Sequence, residues 1–133
     1  MKTDGQLIKE LKEATSGLAF MSESDYPLEV VRWKGVAELT SEALCALTGQ
    51  EKTTRVEAVS AADFFRAATS EPDWKGEEEL KTARRFQKLL RLLEENLKDL
   101  KAFRMGEIDM PVYVVGRAPS GNVLGVSTRV VET

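Results

Sequence analysis

Histidine is absent from this 133-residue chain, and cysteine occurs once, at Cys45. The first absence removes the side chain most used for proton transfer near neutral pH. It excludes histidine triads, metzincin motifs and Cys/His zinc sites, so an enzyme built on this chain would have to work through carboxylates. The lone Cys45 forms no internal disulfide. Placed between Leu44 and Ala46 in an apolar stretch, it reads as a small buried hydrophobe rather than a nucleophile. No apolar run approaches the ~20 residues of a membrane span. Residues 1–19 are charged and amphipathic, unlike a signal peptide, and a cytoplasmic location is expected. Positive charge is not in excess either: 19 basic against 22 acidic residues leave a net charge of −3. Phosphate binding needs a concentrated basic face, so nucleic acid is disfavoured as a direct partner, whereas a basic protein is compatible. Walker A, GxGxxG, CxxC and EF-hand patterns are all missing.

What is present describes a folded chain. With 42% hydrophobic and 31% charged residues, residues 1–133 suit one domain able to bury a core without disulfide or metal. Thr3-Asp4-Gly5-Gln6 is a capping box ahead of Leu7, Ile8, Leu11 and Ala14 at helical spacing, with Gly17 as the stop. Residues 18–26 read as a loop before Pro27, and residues 28–34 alternate as a strand. Residues 35–50 are ambiguous; Thr40 or Ser41 would cap a short helix ended by Gly49. A strand over 54–59 and a Ser60-capped helix with Phe64 and Phe65 come next. The loop over 69–76 leads into a long helix over about 77–100, with exposed Glu77/Lys81 and Glu94/Lys98 pairs. Strands follow over 102–108, over 111–115 with apolar residues on both faces, and from Leu124 to the end. The layout suits a sheet with helices on both faces.

Each candidate site has a plain alternative. Glu77, Glu78 and Glu79 splay over about 200° of a helix and serve better as first-turn acids than as metal ligands. Arg84, Arg85, Lys88 and Arg91 form a basic stripe without interleaved aromatics, which reads as a solvated face. Trp74 lies in a polar loop beside Asp73; it either anchors an interface or folds back onto the core. Glu23 and Asp25, between serines and ahead of Pro27, either line a turn or present charge. The last strand pattern is expected to run to Glu132 or Thr133, leaving no loose tail. A threonine hydroxyl and terminal carboxylate held rigidly there suit insertion into another molecule's metal or arginine site.

The run from Gly17 to Val30, including Met21-Ser22-Glu23-Ser24-Asp25-Tyr26-Pro27, resembles the cyanobacterial nuclease A inhibitor family. So do Asp63-Phe64-Phe65-Arg66, Pro72-Asp73-Trp74, Val112-Tyr113-Val114-Val115-Gly116 and Gly125 to Thr133, in the same order. The resemblance implies an α/β (α+β) fold, a three-layer α-β-α sandwich whose mixed central sheet carries helices on both faces. It also implies inhibition of a sugar-nonspecific ββα-metal endonuclease by occupation of its active site, as a monomer in a 1:1 complex, with no catalysis, cofactor or metal of its own. Thr133 would reach the nuclease's magnesium. Glu23, Asp73 and Trp74 would contact the nuclease, with Asp25 and Glu132 beside them. The chain departs from the family pattern over residues 36–52. A non-inhibitory binding module of the same fold is the alternative, and a carboxylate enzyme using Glu23 and Asp25 is a third reading.

Overall fold

A computed structural model of the chain describes residues 2–21, 25–51, 53–71 and 76–131, the side chains of 21, 25 and 67 excepted. The capping box forms as expected. Gln6 N–H donates to Thr3 Oγ1 at 3.2 Å and Thr3 N–H donates to Gln6 Oε1 at 2.9 Å, starting α1 (Asp4–Thr15). Leu7 and Leu11 are buried on its inner face. Residues 18–26 differ from the expected loop. They hold a small hairpin of β1 (Ala19–Met21) and β2 (Asp25–Pro27), with Phe20 opposite Tyr26. Three-residue strands are too short to show the alternation by which strands are read. Next come β3 (Glu29–Trp33) and α2 (Ser41–Thr48). Thr40 Oγ1 accepts from Ala43 N–H at 3.1 Å, and Gly49 adopts φ 74°, the left-handed conformation that ends helices. The ambiguous stretch is therefore helical.

Residues 56–131 supply the rest: β4 (Val56–Val59), α3 (Ala61–Phe64), α4 (Arg66–Thr69), α5 (Glu77–Asn96), β5 (Lys98–Met105), β6 (Asp109–Arg117) and β7 (Val123–Val131). The long helix is shorter than its leucine spacing predicts. It stops at Asn96, and Leu97 is already extended at φ −121°. Lys98 thus belongs to a strand, and the expected helical Glu94/Lys98 pair gives way to a bulged strand start where Asp99 takes φ 54°. Lys81 pairs with Glu78, at 3.9 Å.

The five main strands lie in the order β3-β7-β6-β5-β4, and every pairing is antiparallel. The expected sandwich is present, but its sheet is antiparallel rather than mixed. Tight turns join β5 to β6 and β6 to β7, and such turns permit only antiparallel neighbours. Central β6 is buried on both faces, as its apolar run implies. Val112 and Val114 join the larger core cluster under α1, α3 and α5. Val115 joins the smaller one under α2, with Leu44, Cys45, Phe103, Met105 and Val123. Cys45 is buried, as expected. Among the described residues no helix is long and apolar enough to cross a membrane.

The first helix is tied to the far turn of the sheet. The Asp4 carboxylate accepts from Ser120 Oγ at 2.6 Å and Asn122 Nδ2 at 2.7 Å. The Ser120 bond, then the Asn122 bond, hold its carboxyl below the ordinary value of 3.8. A depressed carboxyl stabilises the fold fully above its unfolded value and loses that contribution as pH falls through the folded one. An Asp4→Asn variant is expected to melt below the wild type at neutral pH, with the gap closing as pH drops below 3.8. A gap in melting temperature that stays constant down to the acid limb would contradict this linkage.

Candidate functional site

Of the six residues assigned to the site from sequence, Glu23, Asp73, Trp74, Glu132 and Thr133 lie outside the described residues. Asp25 is placed by its backbone, opposite Met21 in the hairpin, and its side chain is also outside them. The structure does describe the supports from which their three segments leave.

Those supports interlock. Arg104, Val112 and Thr128 are opposite one another on β5, β6 and β7. Thr128 Oγ1 donates to the Tyr26 carbonyl at 3.4 Å, which fastens the hairpin to β7. Across the hairpin Phe20 faces Tyr26 and stacks on Phe64, with ring centroids 4.6 Å apart. The Arg104 guanidinium lies 5.9 Å from the Phe64 centroid and returns the circuit to β5. Phe65 and Phe86 complete the aromatic cluster, at 6.1 and 6.2 Å from Phe20. Offset and edge-on aromatic pairs of this kind add about 0.5–1.5 kcal/mol each beyond burial. Hairpin, α3, α4 and α5 are thereby fixed against the half of β7 that leads to Glu132 and Thr133.

The approach to Pro72-Asp73-Trp74-Lys75 is held from α5. Gln87 Nε2 donates to the Thr69 carbonyl at 2.8 Å and to Glu71 Oε2 at 2.9 Å, and Arg84 Nε donates to Glu71 Oε1 at 3.1 Å. Gly76, on the other side, is the N-cap of α5. Arg85 donates to the Ala14 and Ser16 carbonyls at 3.0 and 2.6 Å. Three side chains of α5 thus fasten α1 and the 69–71 segment, two of them drawn from the stripe read as solvated.

Topology sets the ends. α5 passes into β5 through Leu97 alone, so the chain reverses there and α5 packs on the sheet running against β5. β7 runs in the same direction as β5, because each is antiparallel to β6. The N-terminus of α5 therefore lies at the end of the sheet where β7 finishes. The last described rung there pairs Asp109 with Val131, and Arg129 NH1 donates to Asp109 Oδ2 at 3.0 Å.

On the α2 side of the sheet a shallow cleft of about 240 Å³ adjoins this end, bounded by Pro27, Glu29, Tyr113 and Arg129. Burial raises the Tyr113 phenol above its ordinary value, with Arg129 opposing and Glu29 adding to the shift. Tyr113 is thus a neutral hydrogen-bonding group at physiological pH. The groove between α1 and α5, about 440 Å³, sets Arg85, Lys88 and Arg91 against Glu10, Glu13 and Glu95. Balanced charge of this kind does not make a phosphate track. Among the described residues no group of three or more metal-ligating side chains gathers.

No local sequence pattern marks Phe20, Arg104 or Thr128 as supports. The Phe64-Phe65 doublet is the available signal, since paired aromatics at the end of a four-residue helix need a receiving surface larger than that helix.

A family model for nuclease A inhibitor-like proteins matches residues 5–133. Among curated proteins no relative matches the chain.

Proposed function

Because the chain belongs to the nuclease A inhibitor-like family, we propose that it inhibits a metal-dependent, sugar-nonspecific endonuclease of the ββα-metal type by occupying its active site. The observation that carries this reading is the family match over nearly the whole chain, including β7 and the residues after it. The support from the fold is that the hairpin and the 69–71 segment are each fastened by side-chain hydrogen bonds and that β7 is paired along its length. In this reading Thr133 is directed at the nuclease's magnesium. A nuclease site holds a hard cation with oxygen ligands, and an oxygen from the inhibitor replaces a phosphate oxygen there. Glu23 and Asp73 pair with basic side chains, where charge-assisted bonds are strongest. Asp25 and Glu132 extend the acidic surface, and Trp74 is the apolar anchor. Rigid supports lower the entropy lost on association, so affinity comes from pre-organisation.

The reading takes residues 1–133 as one domain, acting as a cytoplasmic monomer in a 1:1 complex, without catalysis or cofactor. The test is a plasmid-degradation titration with a sugar-nonspecific ββα-metal endonuclease of the source organism. Inhibition complete near one equivalent is expected. Undiminished cleavage at tenfold excess of folded protein would overturn the reading and favour a binding module with another partner.

A further inference from the structure

The turn between β5 and β6 ends in an isoleucine that the core does not use. Ile108 is 60% exposed, although it lies between two buried methionines, Met105 and Met110. Turns favour small and polar residues for their local hydrogen bonds and backbone freedom, so the turn itself gives no reason for a large branched side chain.

The tip is rigidly built. Gly106 takes φ 101°, a conformation that favours glycine, and its N–H donates to the Arg55 carbonyl at 2.9 Å. On the other side Asp109 pairs with Val131 in the ladder and accepts from Arg129. Ile108 is therefore displayed from a fixed hairpin, one residue from the rung after which the chain continues to Glu132 and Thr133. Glu107 and Asp109 flank it, both exposed.

We infer that Ile108 is a nuclease-contacting residue, an apolar knob framed by acids that docks on the rim of the nuclease's active site beside the inserted C-terminal residues. This rests on the inhibitor reading above and deepens it. The rim of a phosphate-binding site is basic, which suits the exposed Glu107, and an apolar side chain displayed from a fixed hairpin loses little conformational freedom on docking. A single exposed apolar residue is commonplace on protein surfaces. What distinguishes Ile108 is its position one residue from the Asp109–Val131 rung together with its fixed hairpin. Leu47 on α2, 38% exposed, has neither and serves as the control.

The experiment compares the full-length wild type, Ile108→Ser and Leu47→Ser for binding to a sugar-nonspecific ββα-metal endonuclease by calorimetric titration, with melting temperatures recorded for each. The expected result is a dissociation constant raised about tenfold or more for Ile108→Ser. Leu47→Ser should bind like the wild type, and all three should be fully folded at the assay temperature, with Leu47→Ser melting somewhat lower because its leucine is partly buried in α2. Wild-type affinity in Ile108→Ser, or equal weakening in both variants, would overturn the inference while leaving the inhibitor reading intact. Absence of binding by the wild type would overturn both.

Discussion

A Gly125→Ala variant is expected to lose about 3 kcal/mol or more of stability, at the upper end of what overpacking costs. Gly125 lies in β7 between two partners, opposite Val115 of β6 and Val31 of β3. A methyl group there would come within 1.9 Å of the Val114 carbonyl oxygen and 2.8 Å of the Val115 Cα. Both atoms are backbone of the central strand, so relief requires moving the ladder rather than rotating a side chain. Against a total of about 5–15 kcal/mol for a domain, the loss should lower the melting temperature by about 10 °C or more. Gly5→Ala gives the opposite expectation. Gly5 is in the first turn of α1, its nearest neighbour to an added methyl is Thr3 Oγ1 at 3.9 Å, and alanine is the better helix former, by less here than the ~0.8–1 kcal/mol of a helix interior. A parallel thermal melt of the two variants separates steric conflict from a general effect of replacing glycine. If Gly125→Ala melted like the wild type, the close approach of β6 and β7 would be wrong.

The elements legible in the sequence were those whose boundaries carry their own chemistry. Thr3 with Gln6, and Ser60, each name a helix start through a specific backbone bond, and each bond forms; in the stretch left ambiguous by its sequence, Thr40 rather than Ser41 is the cap. The alternation of Leu124, Val126, Thr128 and Val130 places all four under the helical layer, since one face of a strand must be buried consistently. The failures share a cause. Leu97 and Leu100 continue the spacing of the α5 leucines, yet the helix stops at Asn96, because the turn into β5 is set by a bulge and a left-handed Asp99 that no short pattern announces. The hairpin formed by β1 and β2 is stabilised from outside itself, through Phe20 on Phe64 and Tyr26 on Thr128. Contacts of such separation leave no periodic trace. The site residues could be named only through the family resemblance, as local composition left Trp74, Glu23 and Asp25 each with two readings.

The second large expectation concerns inhibition. Deleting Thr133, or changing Glu23 or Trp74 to alanine, is expected to raise the inhibition constant about thirtyfold or more in each case, the loss of a hot-spot contact of about 2 kcal/mol. For Glu23 the loss exceeds the value of the pair itself, because a basic group of the nuclease would be left desolvated and unpaired. The supports described above define the control. Thr128→Val removes the hydroxyl that fastens Tyr26 while keeping shape and burial, so the hairpin would be displayed less rigidly with its acidic residues intact. Its effect on affinity should be smaller, about threefold to tenfold, because it acts through ordering entropy rather than a lost contact. It should also appear in the unbound protein as faster amide exchange across β1 and β2. Lysine for glutamate at position 95, in the groove between α1 and α5, should leave inhibition unchanged, since that groove lies on the helical layer outside the three anchored segments. A plasmid-protection assay run with the wild type and all five variants at matched, verified fold gives the ranking. Equal inhibition by the Thr133 deletion, Glu23→Ala and the wild type would remove the terminal strand and the hairpin from the site, and leave the loop bearing Asp73 and Trp74 to account for binding.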